Sequence, residues 1–192
     1  MNKNLMTSLL LLAALPVAAA LPDGAPAPDF RIPAAQGGKV FDYSLAGALK
    51  QGPVVVYFYP SAYTKGCNVQ AHTFSENQDK FAAAGASIIG VSLDSIDRLK
   101  DFSADPDYCA GRIAVASDID GKVAHAYDLN IRDAVAGRKD TRGVEIGHAF
   151  AERTTFIVTP DGHIRATLGG LSPEVNVAKA LEIVQGLAAQ HR

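Results

Sequence analysis

Apolar and polar positions along this chain alternate between two periods. Residues 54–59, Val-Val-Val-Tyr-Phe-Tyr, form an unbroken apolar run, the pattern of a strand buried on both faces. Residues 64–84 switch to helical spacing, with Cys67, Ala71, Phe74 and Phe81 on one face. A second apolar run at 86–93 reads as another buried strand. Ser95 then opens a helix, with Asp97 and Asp101 near its beginning, and Pro106 interrupts it. Residues 113–116 predict a short strand, and Asp118 can cap the helix that follows to about Tyr127. Strands are expected at 154–159 and 163–168, joined by the turn Pro160-Asp161-Gly162. Pro173 suits the first turn of a closing helix that buries Val177, Leu181 and Val184. Upstream, 30–32 and 39–43 are short strands around Gly37-Gly38.

Strands that alternate with helices predict an α/β fold, a central sheet covered by helices on both faces. Residues 130–147 break the alternation. They are polar, contain Gly137, Gly143 and Gly147, and mix Arg132, Arg138, Lys139 and Arg142 with Asp133, Asp140 and Glu145. They read as a long solvated loop.

The first residues follow other rules. Asn2-Lys3-Asn4 precedes the apolar stretch Leu5 to Val17, and Ala18-Ala19-Ala20 suits a cleavage site. The stretch is short for a membrane span, holds Pro16, and has no basic cluster after it. Residues 1–20 are therefore expected to be a cleaved export signal and 21–28 a mobile segment. Residues 29–192 are then one domain, in a periplasmic or otherwise exported protein. The leader takes one lysine and no acid with it, so the formal charge moves from −2 to −3. That balance advertises neither nucleic acid nor an anionic membrane as partner.

Chemistry concentrates where the first buried strand meets the long helix. Cys67 falls in that helix's first turn, where free N–H groups and the positive dipole end favour an anion. A thiol there is expected to lose its proton more readily and to act as a nucleophile. The only other cysteine is Cys109. In an oxidising compartment a pair often forms a structural bond. Closing this loop of about 43 residues would stabilise the fold by about 4 kcal/mol. Both readings stay open on spacing alone.

Pro60, Thr64 and Cys67 match the peroxiredoxin signature, and Glu152-Arg153-Thr154-Thr155-Phe156 resembles the later strand that begins with that family's active-site arginine. The resemblance runs from Ala27 to the final helix and is nearest to the Q-type, or bacterioferritin-comigratory, branch. It implies a thioredoxin-like fold with a mixed sheet, and reduction of hydroperoxides without metal, haem or flavin. It makes Cys67 the peroxidatic residue, with Arg153, Thr64 and Pro60 around it. An ordinary thiol is about 3% thiolate at neutral pH, so full deprotonation gains only about thirtyfold. Fast peroxide reduction therefore also needs donors aimed at the breaking O–O bond. Arg153, Thr64 and the amides of Gly66 and Cys67 are the candidates. Pro60, lacking an N–H, can shield the sulfur.

The resemblance has departures. His72 stands five residues after Cys67, where many Q-type members carry a second cysteine. A subgroup places its resolving cysteine after the next strand, and Cys109 fits that position. A monomer recycled by a thioredoxin-like dithiol is the expectation. An inert Cys109, a permanent bond, a bond to another chain, and a non-catalytic redox sensor remain open. Gln70 stands where relatives often carry Glu; it orients Arg153 or faces solvent. His148 reaches the pocket rim or is an ordinary loop residue. Cys67-Asn68-Val69-Gln70 lacks the second thiol of a Cys-x-x-Cys oxidoreductase, and the near thiol pair of a copper carrier is missing.

Overall fold

The computed structural model describes residues 20–190. In chain order the elements are β1 (Arg31–Gln36), β2 (Lys39–Ser44), α1 (Leu45–Leu49), β3 (Val54–Phe58), α2 (Lys65–Ala83), β4 (Ser87–Ser92) and α3 (Ile96–Ala104). They continue with β5 (Ala114–Ser117), α4 (Lys122–Ala126), β6 (Ile131–Arg132), β7 (Phe150–Ala151), β8 (Thr154–Val158), β9 (Ile164–Gly169) and α5 (Pro173–Gln190). Seven strands form one mixed sheet in the order β2-β1-β5-β4-β3-β8-β9, and β6 pairs with β7 separately. β3, β4 and β5 run parallel, while β8 and β1 join them antiparallel.

The centre of the sheet follows from composition. Every residue of β3 is buried, as a strand covered on both faces requires. Val55, Tyr57 and Tyr59 face a layer built from α2, α3 and α5, which contributes Phe74, Phe81, Leu99, Phe102, Val177 and Val184. Val54, Val56 and Phe58 face the opposite layer, with Leu45 and Leu49 of α1 and Val123 and Ala124 of α4. Gly90, in the middle of β4, makes room for the Tyr57 ring: a Cβ there would stand 2.5 Å from Tyr57 Cζ.

Register positions the site. Phe58 pairs with Val91 on one side and with Thr154 on the other. The loop after β3, the turn after β4 and the residue before β8 therefore meet at one end of the sheet. That end lies outside the carboxyl ends of the parallel strands, where α/β sheets place their ligand sites.

Three expectations change. Residues 21–28, expected to be mobile, are paired: the amides of Gly24 and Ala27 donate to Ile164 O (2.7 Å) and Gly162 O (2.8 Å), and Asp23 accepts from Thr167 N (2.8 Å). They cover β9, an edge strand whose backbone groups need partners. Segment 130–147, expected to be solvated, buries Asp140 and Ile146. Leu181 is only partly buried; Asn176 takes an interior place on α5 instead. Asp118 does cap α4, accepting from Val123 N (3.0 Å) and Ala124 N (2.8 Å), although the residue at the cap position is Gly121. Nearly all of the expected leader lies outside the described residues.

Candidate active site

β3 delivers the chain to Pro60, which is partly exposed, and α2 begins five residues later. Cys67 is the third residue of α2 and is 2% exposed, on the inward face with Ala71 and Phe74. Arg153 comes from the far side of β3. Because Thr154 pairs with Phe58, the preceding residue is carried to the mouth of α2. Its Nη2 donates to Cys67 Sγ at 3.3 Å. Gly66 permits the approach: a Cβ there would lie 3.2 Å from Arg153 Nη2.

The guanidinium is held from behind. Arg153 Nη1 donates to Gln70 Oε1. Gln70 is fully buried, and its Nε2 donates to Asn176 Oδ1 at 3.1 Å. That oxygen also accepts from Thr155 Oγ1 (2.7 Å), while Asn176 Nδ2 donates to Leu168 O (3.1 Å). The chain of donors fixes each amide's direction. Asn176 must turn its nitrogen to Leu168, so its oxygen faces Gln70. Gln70 must then present nitrogen to Asn176 and oxygen to Arg153. Gln70 thus orients Arg153 and is no solvated helix residue.

Two expected donors differ in detail. Thr64 sits at the cap of α2 by backbone angle, yet its side chain makes no capping bond; its hydroxyl donates to Ser61 O at 2.9 Å. The oxygen keeps lone pairs for an incoming O–H, but its proton is engaged. The Cys67 amide donates to Thr64 O at 2.9 Å, which leaves Gly66 as the free helix-start amide of the pair.

Cys109 lies between α3 and β5, fully buried in the same apolar layer as Cys67. Both thiols are free. The Cys109 carbonyl accepts from Ser75 Oγ at 3.0 Å. Ser75 is about 12 Å along α2 from Cys67 at the helical rise per residue. Burial, and then the charge of Asp105, push the Cys109 thiol well above the ordinary thiol range.

Comparison with known proteins bears on this geometry. Residues 24–167 match the model of the AhpC/TSA family. A Mycobacterium tuberculosis chain whose name places it among the peroxiredoxins is 33% identical over 156 residues, covering 81% of this chain and 90% of that one. The chain belongs to the peroxiredoxin (AhpC/TSA) family. Among solved structures, the M. tuberculosis peroxidoxin BcpB superposes with a TM-score of 0.72 at 25% identity, over 87% of this chain and 98% of that one. The Xanthomonas campestris bacterioferritin comigratory protein does so with 0.64 at 25%, over 82% and 92%. The sheet and its helices are therefore a thioredoxin-like fold, the branch is the Q-type, and the chain is a peroxidase of the oxidoreductase class.

Within this peroxiredoxin, Cys67 and Arg153 are brought together as expected, with Thr64 and Pro60 on the connecting loop. Cys109 shares the apolar layer of Cys67 but takes no part in the hydrogen bonds around it. Sequence reasoning missed Asn176, Thr155 and Asp94. Asn176 carried one signal: a polar residue beside Val177 on the face of α5 that should be apolar. Among the described residues, no group of three His, Cys, Asp or Glu could hold a metal, and no helix is long and apolar enough to cross a membrane.

Proposed function

We propose that Cys67 reduces hydroperoxides and that Cys109 resolves the product. The Cys67 thiolate attacks the distal peroxide oxygen; the O–O bond breaks, and the leaving alkoxide or hydroxide takes a proton. Cys67 is left as a sulfenic acid. The Cys109 thiol condenses with it, giving a Cys67–Cys109 disulfide and water. A thioredoxin-like dithiol then reduces that bond by exchange and is itself oxidised. The carrying observation is Arg153 Nη2 at 3.3 Å from Cys67 Sγ, locked by Gln70. A guanidinium there donates to the sulfur and, through its planar fork, to the peroxide oxygens as charge develops. The Thr64 oxygen accepts the substrate O–H, and Pro60 shields the sulfur.

Organic hydroperoxides belong to the proposed range alongside hydrogen peroxide, because the similar Xanthomonas protein was described for its alkyl peroxide reduction activity. Resolution needs movement. A disulfide requires Cα atoms within about 7 Å, and Cys109 is anchored beside Ser75, two turns along α2. The first turns of α2 must therefore unwind after oxidation. Export rests on the pattern of residues 1–20, and a single chain is proposed as the working unit.

A second reading is a one-Cys enzyme, favoured by the burial of Cys109 and its raised thiol. Mass spectrometry without reductant, after one equivalent of peroxide, separates the two. An intrachain bond that appears only with peroxide and vanishes with dithiol supports resolution by Cys109. A persistent Cys67 sulfenic acid with Cys109 free supports the second reading. Cys67→Ser must abolish turnover in both; turnover by that variant overturns them. Consumption of one equivalent per chain, with no turnover on added dithiol, makes the protein a sensor and overturns the catalytic reading.

A further inference from the structure

Beneath the loop that presents Cys67 lies a buried carboxylate that the peroxidase chemistry does not use. Asp94, in the turn after β4, is fully buried. Its Oδ2 accepts from the Ala62 amide (2.7 Å) and Ser92 Oγ (2.8 Å). Its Oδ1 accepts from Ser61 Oγ (2.9 Å) and faces His148 Nε2 (2.8 Å) and Arg98 Nε (2.8 Å). Arg98 Nη2 reaches past it to Ala62 O (2.9 Å) and to Asp140 Oδ2 (2.8 Å). The next carbonyl, Tyr63 O, accepts from Thr141 N (2.9 Å) and Thr141 Oγ1 (2.8 Å). Three separate parts of the chain, the turn after β4, α3 and the segment around Thr141, thus grip Ser61, Ala62 and Tyr63.

The loop has reason to be gripped. Tyr63 holds φ +60°, in the left-handed region that a bulky residue adopts only under strain. Its ring is pinned under the Arg142 guanidinium, 3.2 Å from the ring centre, and against Phe102 and Tyr108. Released, this residue would relax, and the start of α2 with it.

His148 is the one member whose charge changes near neutrality. Its Nδ1 lies 2.7 Å from Ala149 O and its Nε2 2.8 Å from Asp94 Oδ1. Ser61 Oγ also stands 3.3 Å from Nε2, but the nearer carboxylate oxygen and the carbonyl at Nδ1 are acceptors only and favour a proton on both nitrogens. With both in place the ring is an imidazolium.

We propose that Asp94 and His148 are positioning residues for peroxide reduction: the protonated ring keeps the carboxylate turned onto Ser61 and Ala62, and so holds the loop that sets Cys67 against Arg153. The groups facing His148 support this. Burial lowers its proton affinity and so does the nearby Arg98 charge, but the Asp94 bond and charge and the Ala149 carbonyl outweigh them and leave it above 6.5. Phe150 of β7 packs against the ring at 5.7 Å, and Asp140 and Arg142 lie beyond Arg98. Loss of the Nε2 proton would set a lone pair against Oδ1, and the grip would loosen.

The inference rests on Cys67 being the peroxidatic residue, and the test separates the two ideas. In the full chain, the second-order rate constant for Cys67 oxidation by hydrogen peroxide is measured by competition across pH, with the His148 ring followed by NMR. The expected result is an alkaline fall of about tenfold, one charge-assisted bond's worth, whose midpoint matches the His148 titration. His148→Gln, which cannot titrate, should lose that limb, and Asp94→Asn should react about tenfold more slowly below that midpoint and lose the limb as well. A neutral His148 ring at pH 7 in the wild type overturns the inference without any variant. So does a folded His148→Gln that keeps the wild-type limb. A chain inert to peroxide throughout overturns the peroxidatic assignment as well.

Discussion

At the residue scale, the site is a question of which atom faces which. Cys67 was legible because its place after a buried strand and at a helix start is a local property of the chain. Arg153, 86 residues away, came only from the resemblance of its strand to that of a known family. Asn176 was not legible. Whether a polar residue on α5 looks inward depends on the docking of α5 against α2, which no window of sequence contains. Its amide explains why glutamine stands at position 70. Asn176 Oδ1 also serves Thr155, so it can meet only a donor. A glutamate at 70 would bring an acceptor against that oxygen, or force Asn176 to flip and abandon Leu168 and Thr155. Gln70→Glu should therefore lower the rate constant for Cys67 oxidation by about tenfold, the effect of one misdirected bond, even though a carboxylate pairs well with arginine. Stopped-flow or competition kinetics read this directly, with thermal melting to show that the variant is folded.

At the element scale, period and punctuation identified the buried strands, the long helix, the closing hairpin and α5. Segment 130–147 escaped because its partners are backbone atoms of a distant loop. Thr141 bonds Tyr63 O, and Asp140 is buried beneath Arg98 and Arg142. A run of mixed charges looks the same whether it is solvated or clamped. His148 was ambiguous for the same reason. The clamp predicts how stability depends on pH. Burial works against the Asp94 charge, but His148, Ala62 and Ser92 outweigh it and hold the carboxyl below its ordinary 3.8. That contribution is present above the unfolded value and is lost as pH falls through the folded one. The raised His148 contributes fully below its ordinary 6.5 and is lost as pH rises through its folded value. Melting temperature should thus fall on the alkaline side in the wild type, and His148→Gln should flatten that limb. Calorimetry across pH checks it, and an unchanged limb in the variant would remove His148 as the cause.

At the scale of the whole molecule, one end of the sheet collects everything the chemistry needs, because β3, β4 and β8 are neighbours and their ends coincide. The α/β class was readable from alternation alone, whereas the antiparallel placement of β8 beside β3, which brings Arg153 in, had to come from the fold. The Cys109 carbonyl is tied to Ser75, two turns along α2 from Cys67, and formation of the proposed bond is expected to open the first turns of α2. Hydrogen exchange should show the amides of residues 65–70 losing protection in the oxidised chain while α5 stays protected. Unchanged protection in a chain that carries the bond would refute this route. The central claim, that the guanidinium held by Gln70 stabilises the transition state at Cys67, is tested most directly by the rate constant for Cys67 oxidation in Arg153→Met. Loss of one preorganised donor predicts a fall of about 10²–10³-fold in a chain that still folds. A wild-type rate constant in that folded variant would contradict the account.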